Sequence, residues 1–177
     1  MHRRLTEESG DRLTPLSLYY LGQAAHQGFP WAMYVLARLL ENSGRPTSMN
    51  RYAYWYGVAS ETGLPEACLK VGLMFEHGWV LPQNQKEAAR YFLRAARSHK
   101  VPQAMLHLAH MYDEGRGVPK DRLKAAFQAH QAARFGLKEA ESLETELESR
   151  LTSEEQDQIR RWHEEWKPSP PGPWILQ

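Results

Sequence analysis

Between Ala104 and Gly136 apolar residues recur every three or four positions, stop at a polar turn, and resume with the same spacing. The pattern predicts two amphipathic helices joined by a turn that Gly115, Gly117 and Pro119 pin. Its neighbours repeat the plan. Ala32, Ala67, Ala104 and Ala140 stand at intervals of 35, 37 and 36 residues, and Gly28, Gly63, Lys100 and Gly136 repeat those intervals. A unit of this period cannot bury its apolar face alone and must stack on its neighbours. The expected fold is all-α, a short solenoid of helix pairs.

Within the units, small residues such as Ala67, Gly72, Ala96, Ala104 and Ala132 permit close helix approach. Large ones fill the space beyond them, among them Leu36, Trp55, Val71, Phe92 and Leu108. The run Glu114-Gly115-Arg116-Gly117-Val118-Pro119-Lys120-Asp121 is preceded by Ala104, Leu108 and Tyr112 and followed by Ala125, Ala132, Ala133 and Gly136. It resembles the signature of the Sel1-like repeat family. The unit from Ala67 to Lys100 is similar through Gly72, Phe75, Gly78, Pro82, Ala89, Phe92 and Ala96. The unit from Ala32 to Gly63 keeps Trp55, Tyr56, Ala59 and Gly63 but lacks the central loop. The resemblance runs from about Leu16 to Ala140. It implies a right-handed α/α solenoid of Sel1-like repeats with divergent terminal caps, and an adaptor or protein-binding scaffold of bacterial type.

Three segments are expected: a flexible polar N-terminus (1–13), a helical-repeat domain including its caps (14–166), and a proline-rich tail (167–177). Thr14-Pro15 reads as a helix start, with Thr14 at the N-cap. That first helix matches the second helix of a repeat, and Tyr20 falls at the Trp55 and Phe92 position. Helices are expected at about Pro30–Glu41 and Asn50–Thr62 in the first full unit. In the second unit Trp79 and Val80 replace Arg116 and Gly117, which argues against the same tight turn, and the unit is one residue longer before its second helix. Ser153-Glu154-Glu155-Gln156 offers a capping box for a last helix through Ile159 and Trp162.

Tyr52, Tyr54, Trp55 and Tyr56 cannot share one buried stripe, because adjacent helical positions are rotated by about 100°. At least one is expected at the surface, with Tyr20 and Trp31 extending the patch. Trp79 is either a contact residue or folded back over its helix pair. Trp174, Ile175 and Leu176 form an apolar cluster after the prolines, open to docking in cis, to another copy or to a partner.

Charge changes this picture only locally. The chain is 177 residues long with a formal net charge of +1, which removes a whole-chain case for nucleic acid. Arg90, Arg94 and Arg97 share a helix face. Between Lys86 and Arg134 ten basic residues stand against four acidic ones, an excess that an acidic protein segment would suit and that a solvated face would also explain. The stretch from Lys138 to Glu165 is acidic, and its carboxylates are expected on a wet helix surface. One cysteine, Cys68, excludes an internal disulfide framework, and so the paired cysteines of some secreted members of the resembled family. The N-terminal residues lack the apolar run of a secretory signal, and no stretch approaches the roughly twenty apolar residues of a membrane span, so a cytoplasmic location is expected.

Chemistry is sparse. His107 and His110 share a face as zinc ligands can, but without a nearby cysteine and without zincin spacing. Cys68 reads as a small core residue. No phosphate loop or nucleophile elbow is present. No catalytic residue, metal or cofactor is expected. The expected function is protein or peptide binding on the concave surface of successive helices, with aromatic anchors and a basic patch. The alternatives are a small metal-dependent or hydrolytic enzyme and a self-assembling structural protein. No nucleic-acid or membrane partner is expected.

Overall fold

The structure is a computed structural model that describes residues 15–45, 48–98 and 101–165. Within these residues it holds nine α-helices and no strands: α1 (Pro15–His26), α2 (Pro30–Asn42), α3 (Met49–Glu61), α4 (Pro65–His77), α5 (Gln85–Ala96), α6 (Pro102–Glu114), α7 (Arg122–Arg134), α8 (Lys138–Glu148) and α9 (Ser153–Glu165). The pairs α2/α3, α4/α5 and α6/α7 are hairpins, and α3/α4, α5/α6 and α7/α8 join one hairpin to the next. Helix α1 packs on α2, and α9 lies against α7. The packing follows chain order, which makes the molecule a solenoid of repeated helix pairs.

Two kinds of helix start alternate. Helices α2, α4 and α6 each begin with proline at the first turn, where a missing N–H leaves nothing unsatisfied. Helices α5 and α7 begin after Asn84 and Asp121, whose side chains accept from the backbone N–H of Lys86 and Glu87 and of Lys124. Helices α4 and α6 end at Gly78 and Gly115, both left-handed at φ 72° and 76°. Their loops, 78–84 and 115–121, are equal in length and close the same way, with Asn84 N–H donating to Phe75 O and Asp121 N–H to Tyr112 O. The substitution of Trp79-Val80 therefore leaves the turn intact. The second unit is longer than the first, whose loop is 43–48, and not longer than the third.

That one-residue difference corrects the register of the aromatics. Tyr56, Ala59 and Ser60 of α3 are fully buried, as are Phe92 and Ala95 of α5, with Ala96 nearly so. Tyr56, not Trp55, is the counterpart of Phe92. The last cap also shifts by one residue: Thr152 Oγ1 accepts from Glu155 N–H, and the Glu155 carboxylate accepts from Thr152 N–H at 2.9 Å. This is a capping box starting at Thr152.

The largest buried cluster runs from Cys68 to Ile159 through α4–α9, with Leu108, Met105, Met111 and Leu147 among its biggest members. Helices α1–α3 contribute to two smaller clusters, around Met33 and Ala59 and around Tyr56 and Val71. Trp162 closes the C-terminal end edge-on to Phe127 at 5.9 Å.

Candidate partner-binding surface

Among the described residues, eight of the eleven large apolar side chains that stand exposed belong to residues 16–54: Leu16, Leu18, Tyr19, Tyr20, Phe29, Trp31, Met49 and Tyr54. The stack itself explains this. Trp55 of α3 meets His26 of α1 edge-on, ring centroids 5.1 Å apart. Its counterpart Tyr91 of α5 stacks on Phe75 at 5.7 Å and reaches back to Glu61 of α3. Tyr20 occupies the same position on α1, but among the described residues nothing covers it, and it is 62% exposed. Leu16, Tyr19 and Tyr20 lie on one helix face, opposite the buried Ala25. A face left to solvent at the end of a helix stack is ordinarily polar; this face of α1 is apolar.

The other aromatics divide by burial. Trp31 is exposed and meets Tyr34 edge-on, and Tyr54 is exposed beside Trp55. Tyr52 is half-buried. Tyr56, grouped by sequence with the contact residues, is inaccessible: its hydroxyl donates to Glu41 Oε2 at 2.7 Å, and Lys70 binds the same carboxylate at 2.9 Å. Burial, with the Glu41 carboxylate beside it, raises the Tyr56 phenol well above its ordinary range. Trp79 stands away from this group, 65% exposed and stacked on His77 at 4.5 Å. Tyr19 and Phe29 join the surface without having been singled out by sequence. The signal for Tyr19 was the spacing Leu16, Tyr19, Tyr20. Trp174, Ile175 and Leu176 lie outside the described residues.

The basic segment is largely engaged inside the chain. Arg90 pairs with Glu87 on its own helix. Arg94 is mostly buried and donates to Ser60 O at 2.6 Å, with Glu61 nearby. Arg122 reaches Glu155 of α9, and Lys124 pairs with Asp121. Arg97 is exposed. Arg90, Arg94 and Arg97 thus do not present one open cationic face, because contacts within α5 and across to α3 use part of it.

The most buried charge, Glu76 at the end of α4, ties two units together. His107 Nδ1 of α6 lies 2.9 Å from its carboxylate and Arg116 Nη1 at 3.1 Å. Burial alone would raise the Glu76 carboxyl, but the His107 hydrogen bond and charge together with Arg116 hold it below the ordinary value. A depressed carboxyl stabilises the fold above its unfolded pKa and loses that contribution as pH falls through the folded one. Glu76→Gln is expected to cost about 1–3 kcal/mol at neutral pH, discounted because Arg116 is partly exposed. Denaturant titrations from about pH 6 to about pH 3 should show the wild-type chain losing more stability than the variant.

His107 is therefore a tie between units, its ring stacked on Phe92 at 4.8 Å. It forms no metal-compatible group with His110. Among the described residues the side chains that converge with such chemistry are His130, Glu144 and Glu148. Cys68 is buried, and burial pushes its thiol up to about 11, which leaves it a packing residue. No described helix is long and apolar enough to cross a membrane.

The Sel1 repeat profile matches residues 11–29, 65–99 and 102–134, so it skips the first full unit with its missing loop. The protective antigen c5321 of uropathogenic Escherichia coli, which displays an SLR fold, superposes with a TM-score of 0.76 at 19% identity. The match covers 84% of this chain but only 32% of that protein. A Sel1 repeat protein from Oxalobacter formigenes gives 0.67 at 27% identity, over 73% of this chain and 97% of that one. Helicobacter pylori cysteine rich protein B gives 0.57 at 20% identity, over 72% and 92%. Comparison with curated proteins yields no match. With its proline-started and glycine-ended helices, paired in chain order and matching that profile, the chain belongs to the Sel1-like repeat family, a scaffold fold generally used for protein–protein interaction surfaces.

Proposed function

We propose that this scaffold binds a protein partner on the open face of α1 and the adjoining aromatics, and that the partner supplies an amphipathic helix. The observation that carries this reading is the exposure of Tyr20 at a position where Trp55 and Tyr91 are partly buried, Trp55 against His26 of α1 and Tyr91 against Phe75 of α4 with Glu61 of α3 at its hydroxyl. A helix with apolar residues at three- and four-residue spacing would continue the stack, placing its side chains against Leu16, Tyr19 and Tyr20. Trp31 and Tyr54 serve as flanking anchors, since large aromatics buried at an interface carry much of its binding energy.

Two narrower readings have less support. An acidic partner would use Arg90 and Arg97, but the neighbouring cations already hold carboxylates of this chain. Self-association through Trp174, Ile175 and Leu176 would make the protein its own ligand.

The test is partner capture followed by crosslinking and mass spectrometry, comparing the intact chain with Tyr20→Ala/Trp31→Ala. Both side chains are exposed, so melting temperature should hold while affinity falls roughly tenfold or more. Unchanged capture by the double variant would overturn the reading, as would crosslinks joining residues 1–13 of the same chain to α1. Trp79→Ala serves as the control that leaves binding intact.

A further inference from the structure

The seam between α7 and α8 holds a group that the scaffold reading does not use. His130 Nδ1 of α7 lies 2.5 Å from Glu144 Oε1 and 4.0 Å from Glu148 Oε1, both on α8. One ligand atom from each of the three falls within 4.8 Å of the other two. The carboxylates are four residues apart on one helix face, where like charges repel. Neither is paired with a lysine or arginine among the described residues. Other acids of the same region find such a partner: Glu146 holds Arg150, and Glu155 holds Arg122. A single ring nitrogen carries at most one proton and can satisfy one carboxylate at a time. Two carboxylates turned toward one imidazole therefore form an incompletely neutralised set.

The imidazole is also held in place. The His163 ring of α9 packs at 4.0 Å from the His130 ring and stacks on Phe127 at 4.7 Å. Gln131, buried next to His130, contacts His163 Nδ1 at 3.2 Å. The three ligand side chains are 28%, 21% and 44% exposed, which leaves an entry path and room for water.

We infer that His130, Glu144 and Glu148 form a binding site for a divalent transition-metal ion, zinc in preference to magnesium, which fastens α8 to α7. One imidazole and two carboxylates leave a fourth tetrahedral position for water. Zinc–ligand bonds of about 2.0–2.2 Å place tetrahedral donors roughly 3.3 Å apart. The His130–Glu144 contact opens and the His130–Glu148 contact closes by less than about 1 Å each, and the two carboxylate oxygens, within 4.8 Å of one another, close by at most about 1.5 Å to reach that geometry. Magnesium prefers an octahedral oxygen shell and gains little from imidazole. The ion supplies the charge that one histidine proton cannot, and it pins α8 to α7 along their seam.

The experiment uses the intact chain after chelator treatment, titrated calorimetrically with zinc chloride, with magnesium chloride as the comparison. One saturable zinc site is expected, with a melting temperature that rises with zinc concentration. Cobalt(II) in place of zinc should give the visible absorption of a four-coordinate centre. Glu148→Gln changes the most exposed ligand and should leave the apo melting temperature intact while weakening zinc roughly tenfold or more. Equal loss in His130→Ala supports the same site. The absence of saturable zinc binding overturns the proposal, as does binding that both variants retain.

Discussion

Phe92→Ala should be the most damaging single substitution in this core, lowering stability by about 3–5 kcal/mol. The Phe92 ring is fully buried and lies across Gly72 of α4 so closely that a Cβ at position 72 would stand 2.6 Å from its Cε1 atom. On its other side the ring stacks on His107, so it cannot swing away from an intruding methyl. Gly72→Ala alone should therefore cost about 1–3 kcal/mol, despite the better helix propensity of alanine. In a Phe92→Ala background the same methyl fills part of the hole and becomes neutral or stabilising. Urea denaturation of the four proteins closes the cycle. Additive effects would mean that the two residues do not share the contact.

Gly117→Ala should cost about 2–4 kcal/mol by a different route. Gly117 has φ +70°, and a Cβ there would fall 2.1 Å from Gln85 O and 2.8 Å from Lys86 N, within backbone at the start of α5. The third loop thus rests on the first turn of the preceding unit's second helix, which its Asn84 cap holds in place. Gly136 separates the two contributions, because its φ is +84° but nothing lies within 4 Å of an added Cβ. Gly136→Ala carries the conformational cost alone. Melting temperatures should fall much further for Gly117→Ala; equal losses would refute the close approach.

The residues that made the helices legible are those whose effect is local. Proline before a helix and glycine after it act on their own backbone, and Pro30–Asn42 was readable to within a residue for that reason. The choice between Trp55 and Tyr56 was not local. One residue is about 100° of helix rotation, and the correct register depended on the first loop being shorter than the second. The same limit hid His130, Glu144 and Glu148, which share a seam only after α7 and α8 have packed. His107 and His110, conspicuous in sequence, serve no such grouping; His107 became the partner of Glu76 from the unit before. The open face of α1 was partly visible, since Tyr20 stood in the repeat register. Its exposure required knowing which side of that register meets the preceding unit.

The uneven division of the core has a consequence for regulation. Helices α1–α3 draw on two small clusters shared with one side of α4, while α4–α9 share one large one. In a stack whose cohesion comes from neighbouring units, opening begins where the interfaces are poorest. The proposed docking face sits on that weaker end, so the free energy of holding α1–α3 folded is part of every binding event. Buried substitutions away from the contact, around Val71 and Tyr56, would then adjust affinity without altering the contact itself. The C-terminal half would stay folded through such adjustment, so a single chain combines a fixed anchor with a tunable sensor.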